Sequence, residues 1–144
     1  MFLRKKVDEI IDSARANIRN AILNFLAAKN VLEQLKRKGV DTLLMQTAFM
    51  GLPVPSKVLA NIYIKSGVDS IAKALKKLRK ARSMCMEKYA YIYPTLLNAY
   101  FEELESKLND IIRDVGDIDR VVLELEDIMI KLQELREVIM NYEA

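Results

Sequence analysis

The chain has 144 residues, 51% of them apolar and 30% charged, with one cysteine and no histidine. That length suits one domain with a real core. The missing histidine excludes Ser-His-Asp and Cys-His catalysis, His-containing zinc sites and the Glu-x-x-His di-iron motif of ferritin-like bundles.

The net charge of +3 conceals a split. Residues 1–88 carry 18 Lys/Arg against 7 Asp/Glu, and residues 89–144 carry 5 against 13. Oppositely charged halves attract each other, or each meets a partner of the other sign. This pattern marks a surface-binding or self-assembling protein, not an enzyme, and no cofactor or metal is expected. No run of about 18 uncharged apolar residues exists, so no transmembrane helix is expected. The start, Met1-Phe2-Leu3-Arg4-Lys5-Lys6, lacks the order of a signal peptide, and a cytoplasmic protein is expected. Cys85 has no second cysteine to pair with.

Helical periodicity dominates the chain. Val7, Ile11, Ala14, Ile18, Ala21, Phe25, Ala28, Leu32 and Leu35 recur at steps of three and four and form one stripe. They predict a helix from about residue 3 to 38, roughly 50 Å long. Lys36, Arg37 and Lys38 suit its negative end and Gly39 its stop. Asp41 or Thr42 then caps a short helix through Met50, which Gly51-Leu52-Pro53-Val54-Pro55 breaks. The uncharged run Leu43 to Met50 reads as packing against the hairpin, or as a membrane-dipping or partner-binding loop. Ser56 caps another short helix ending near Gly67, so residues 40–67 are expected to form an irregular insertion.

Asp69 or Ser70 caps the longest helix, with Ile71, Leu75, Leu78, Cys85, Tyr89 and Ile92 on its stripe and Arg82 interrupting it. At Pro94 the apolar face jumps in phase, which predicts a kink or break. Leu97, Phe101, Leu104, Leu108, Ile111 and Val115 continue after it. Gly116 ends that region, and Asp117 or Asp119 caps a last helix along Ile118, Val121, Leu125, Ile128, Leu132, Leu135, Ile139 and Tyr142. The expected fold is all-α: an elongated long-helix hairpin with additional C-terminal amphipathic helices. Residues 1–115 would form the basic hairpin core and 116–144 the acidic C-terminal helix. Stripes this long are expected to exceed what one chain can cover, which favours a homo-oligomer or filament.

Two groups of side chains carry candidate function. Lys73, Lys76, Lys77 and Lys80 share one helical face, with Arg79 and Arg82 close by. Arg15 and Arg19 form an i, i+4 pair, and Arg4, Lys5 and Lys6 cluster at the start. In an antiparallel hairpin these cations would join into one long positive surface. It suits anionic membrane or, as an alternative, nucleic-acid phosphates, as in a filamentous viral coat subunit. No aromatic interleaving marks base stacking. A plain helical-bundle adaptor is the third reading. Met1-Phe2-Leu3 ahead of the cations reads as a short interfacial anchor or a frayed end. Glu102, Glu103 and Glu105 read as a solvated helix face rather than a site.

The stretch Ala74-Leu75-Lys76-Lys77-Leu78-Arg79-Lys80-Ala81-Arg82, with Glu87-Lys88 after it, resembles the basic second helix of ESCRT-III proteins. Val115-Gly116-Asp117-Ile118-Asp119-Arg120-Val121, then Asp127-Ile128 and Glu134-Leu135, resembles the Asp-Ile-Asp-Lys-Val segment and acidic helix of that family. The basic-then-acidic order matches as well, and archaeal cell-division members are the nearest type. The spacing between the two segments is shorter than in the family, and the insertion replaces its usual short turn. The resemblance implies a peripheral membrane protein that polymerises on membrane, with the acidic half folded over the basic half in the soluble form. It also implies a AAA-type disassembly ATPase. Ile128, Lys131, Leu132, Leu135 and Arg136 partly resemble the family's helical ATPase-docking motif, with Leu125 where an acidic residue is expected; an ordinary amphipathic helix has the same pattern.

Overall fold

The computed structural model describes residues 2–38, 42–43, 54–88 and 95–143. Four helices, α1 (Phe2–Lys38), α2 (Ser56–Lys88), α3 (Thr95–Arg113) and α4 (Ile118–Glu143), account for nearly all of them. Two short strands, β1 (Thr42–Leu43) and β2 (Val54–Pro55), pair antiparallel, with Thr42 opposite Pro55 and Leu43 opposite Val54.

Each helix runs antiparallel to both of its neighbours, and the order α1–α2–α3–α4 closes back on α1. Polar pairs fix the registers. Lys77 meets Ser13 and Asn17, Arg82 meets Asn98 and Glu102, Tyr100 meets Glu134, and Arg136 meets Asp12. This is an up-down-up-down four-helix bundle. At 37 and 33 residues, α1 and α2 are longer than α3 and α4, at 19 and 26. The first hairpin therefore extends past the second, and a small satellite core of Ala28, Val31, Leu59 and Ala60 holds its far end.

The predicted stripes form the core. Val7 through Phe25 on α1, Ile71 through Cys85 on α2, Leu97 through Ile111 on α3 and Val121 through Ile139 on α4 enclose one cluster. The expectation that these seams exceed what one chain covers is overturned. The stripes of α3 and α4 lie against the α1–α2 seam, so the core positions of all four helices are buried. This holds among the described residues; Tyr89, Ile92 and the side chain of Tyr142, also on the predicted stripes, lie outside them. Leu32 is also corrected: it is 36% exposed, and Val31 is buried in its place in a small cluster with Ala28, Leu59 and Ala60, against which Tyr63, Ile64 and Ile118 pack.

The seam between α1 and α2 shows why the expected break at Gly67 does not occur. Helix α2 runs unbroken from Ser56 to Lys88, so the irregular insertion ends before residue 56, not at 67. Gly67 lies against the Phe25 ring, where an added Cβ would sit 2.8 Å from Cε2. Small residues recur every seven positions, at 60, 67, 74 and 81 on α2 and at 14, 21 and 28 on α1. The register set by Gly67 with Phe25 and by Lys77 with Ser13 and Asn17 places each small residue opposite a large one. Ile11 faces Ala81, Ala14 faces Leu78, Ile18 faces Ala74 and Ala21 faces Ile71. Such alternation fills an antiparallel seam without voids.

The connections follow local chemistry. Gly116 adopts φ 60°, a left-handed conformation that favours glycine. Asp117 Oδ1 accepts a hydrogen bond from the Asp119 N–H at 3.0 Å, so Asp117 is the cap of α4. Arg120 donates to the Val115 carbonyl at 3.0 Å. The expected helix opening at Asp41 or Thr42 is not formed at its start. Thr42 and Leu43 are extended, pairing with Val54–Pro55, where the proline ring favours extended backbone in both residues. The rest of that expected helix, and Pro94 with its predicted break, lie outside the described residues.

Gly67→Ala tests the seam. The Phe25 ring is fully buried in the core, so overpacking of about 1–3 kcal/mol should outweigh a helix-propensity gain of up to about 1 kcal/mol. Denaturant unfolding should show a lower midpoint, partly restored by adding Phe25→Leu. A Gly67→Ala protein as stable as the parent would contradict the seam geometry.

Candidate polyanion-binding face and its acidic cover

The basic segment of α2 divides among three environments. Lys73, Lys76 and Lys80 are exposed on its outer face, and among the described residues no carboxylate pairs with them. Lys77 turns toward α1 and donates to Ser13 Oγ at 2.6 Å and Asn17 Oδ1 at 2.7 Å. Arg79 and Arg82 turn toward α3. Arg79 Nε lies 3.4 Å from Glu105 Oε1, and Arg82 Nη1 lies 3.0 Å from Glu105 Oε2. Arg82 Nη2 donates to Asn98 Oδ1 at 2.8 Å and to Glu102 Oε1 at 3.3 Å.

This clamp corrects the reading of Glu102, Glu103 and Glu105 as a merely solvated face. The Glu105 side chain is only 13% exposed and is held between two guanidinium groups. Glu103 accepts from Lys131 of α4 and pairs with Lys107 at 3.2 Å, while Lys107 also reaches Asp127 at 3.4 Å. The hydrogen bonds from Lys131 and then Lys107 hold the Glu103 carboxyl below its usual range, and Glu103 in turn raises the Lys131 ammonium. Burial, then the neighbouring Glu134 carboxylate, pushes the Tyr100 hydroxyl up. Arg82, which interrupts the α2 stripe in sequence, therefore joins the basic and acidic halves through three side chains of α3.

The single long positive surface is not formed. Arg15 borders a groove with Met129, Ile130 and Gln133 of α4, and the exposed Arg19, one turn along α1, shares that side. The free lysines of α2 point elsewhere, because α1 turns Ser13 and Asn17, not Arg15, toward α2. The side chains of Arg4, Lys5 and Lys6 lie outside the described residues.

The residues of the expected ATPase-docking motif are committed to the bundle. Ile128, Leu132 and Leu135 are fully buried in the core. Lys131 is bound to Glu103, and Arg136 Nε lies 3.1 Å from Asp12 Oδ1. The repeat that resembles a docking face is the one that packs α4 onto α1 and α3, so this packing does not present it. Among the described residues, no group of three or more acidic or Cys side chains is placed to hold a metal ion, and no helix is long and apolar enough to cross a membrane. Comparison with protein-family models, curated proteins and solved structures found no significant match to this chain.

Two outcomes test the clamp and the ladder. Arg82→Gln should cost about 1–2 kcal/mol, because charge-assisted hydrogen bonds are lost and Glu105 is left half-paired. Arg82→Lys should recover little of it, since an ammonium cannot bridge three acceptors in a plane. Equal unfolding midpoints for parent and Arg82→Gln would contradict this. The depressed Glu103 contributes stability above its ordinary value of 4.5, and that contribution is lost as pH falls through the lower folded value. Glu103→Gln should therefore melt below the parent at neutral pH and converge with it in acid. A gap that stays constant with pH would show that the carboxylate charge is not what matters.

Proposed function

We propose that this chain is an ESCRT-III-like membrane-remodelling subunit, held here in a closed form. It meets anionic membrane through the outer face of α2 and polymerises there when the α3–α4 hairpin lifts. The observation that carries this reading is the sorting of charge along α2. Lys73, Lys76 and Lys80 are exposed without carboxylate partners among the described residues, while Arg79 and Arg82 beside them are neutralised by α3. Near an anionic leaflet each cation contributes about 1 kcal/mol. Three lysines give reversible attachment, and release of the two arginines strengthens it.

The closed form also gives the acidic half a role: Glu102 and Glu105 cover cations that would otherwise add to the membrane face. Lifting α3 and α4 would leave a long α1–α2 hairpin with an uncovered apolar seam, which is the form suited to polymerise. The same movement would free Ile128, Leu132 and Leu135 for a AAA-type disassembly ATPase. A cytoplasmic, peripheral location in archaeal-type cell division or vesicle scission goes with this reading.

Sedimentation with phosphatidylserine-rich vesicles tests it. Lys73→Glu/Lys76→Glu/Lys80→Glu should lose binding, and Glu102→Gln/Glu105→Gln should bind several-fold more tightly than the parent, since it frees two guanidinium groups. The reading fails if the triple variant sediments like the parent. It gives way to a nucleic-acid-packaging protein if vesicles are ignored while duplex DNA binds with steep salt dependence.

A further inference from the structure

Lys77 differs from other cations held between the helices. Lys29, Arg82, Lys107, Lys131 and Arg136, also half-buried and turned toward another helix, each meet a carboxylate. Lys77 meets only neutral oxygens, Ser13 Oγ at 2.6 Å and Asn17 Oδ1 at 2.7 Å. Its direction is therefore fixed while its charge is left uncancelled, and a partly desolvated cation without an anion is costly. Two of its three N–H groups are used. Ser13, which accepts one of them, keeps its own hydroxyl proton to donate.

These groups open into a groove of about 200 Å³ between α1 and α2, lined by Glu9, Ile10, Ser13, Lys77 and Lys80. Drug-sized sites occupy roughly 300–1,000 Å³, so this one suits a single small headgroup. Among the described residues neither Glu9 nor Lys80 has an ion-pair partner, so opposite charges share the groove without cancelling. A plain anion would be repelled by Glu9. A ligand carrying both signs uses all three charges.

We propose that this groove binds the headgroup of a serine phospholipid, which carries a phosphate, a carboxylate and an ammonium. Lys77 and Ser13 take the phosphate, Lys80 the carboxylate and Glu9 the ammonium, while Ile10 lies against the linking carbons. Glu9 is one helical turn from Ser13, about 6 Å along α1, which the two-carbon link between phosphate and ammonium spans with the reach of the side chains. The two cations and one anion of the groove thus mirror the two anions and one cation of the ligand. A phosphoserine within a protein does not fit, since peptide bonds consume its amine and carboxyl groups. The inference deepens the membrane reading above and rests on it for the source of the headgroup. Lys80 belongs both to the groove and to the exposed lysine face, so the contact that brings α2 to a leaflet also presents the groove to it.

Two arms test this. In the first, the protein is sedimented with vesicles containing phosphatidylserine or, at equal mole fraction and net charge, phosphatidylglycerol. The parent should bind the serine lipid about tenfold more tightly, because charge-assisted hydrogen bonds to its ammonium and carboxylate have no counterpart in glycerol. Glu9→Gln, at an exposed site, should lose that preference yet bind phosphatidylglycerol at least as well as the parent. Charge attraction alone predicts instead that Glu9→Gln binds both lipids more tightly. In the second arm, soluble glycerophosphoserine should shift the Ser13 and Lys77 amide resonances saturably, and more weakly in Glu9→Gln. Equal binding of the parent to both lipids, or a Glu9→Gln protein that keeps the preference, overturns the headgroup site and leaves the membrane reading standing. Saturation by glycerophosphoserine with both vesicles ignored keeps the site, assigns it a soluble ligand and sinks the membrane reading. Binding in neither arm overturns both.

Discussion

The seam between α1 and α2 sets the spacing on which the rest of the bundle depends. Along it, small and large side chains alternate in opposition, and at Gly67 the helix gives up its side chain altogether so that the Phe25 ring can lie against its backbone. Dispersion contacts fall off steeply with separation, so a close seam is also a stiff one. That stiffness holds α2 in one rotation about its own axis. Lys77 is then turned toward α1, Arg82 toward α3, and Lys73, Lys76 and Lys80 outward. A seam of uniformly bulky residues would separate the helices and leave those directions poorly defined.

Electrostatics divides the remaining work between the hairpins. Each seam between neighbouring helices carries polar or ionic links, and the α2–α3 seam carries the densest, with two arginines on Glu105. Most of the ion pairs keep substantial exposure and individually contribute little. Their value lies in register and choice of partner. The partly buried Arg82–Glu105 pair is different, because breaking it leaves a shielded carboxylate with a weaker partner.

This arrangement joins stability to the proposed function. The groups that fasten the acidic hairpin to the basic one are the groups whose release would raise the positive charge of α2. One movement would therefore change both the shape of the molecule and its attraction to an anionic surface.

Much of the fold was legible in the residue order, because burial of an amphipathic helix imposes a period near 3.6 on the chain. The α3 stripe from Leu97 to Ile111 and the α4 stripe from Val121 to Ile139 are core positions as their spacing predicts. The Asp117 cap of α4 and the start of α2 at Ser56 were legible for the same local reasons. Gly67 was not, since a glycine that stops a helix and one that admits a neighbour's ring look alike until the opposing residue is known. A signal was present in the seven-residue spacing of positions 60, 67, 74 and 81, but it acquires meaning only beside α1. The candidate site was legible as composition and not as geometry. Periodicity assigns a residue to the inner or outer half of a helix, whereas the neighbouring helix decides whether a flanking cation is free, as at Lys76, or occupied, as at Arg82. Local sequence thus determined which stretches are helical and which stripe each one buries. Only the packing of four helices decided that the seams close within one chain and which charges are left to face outward.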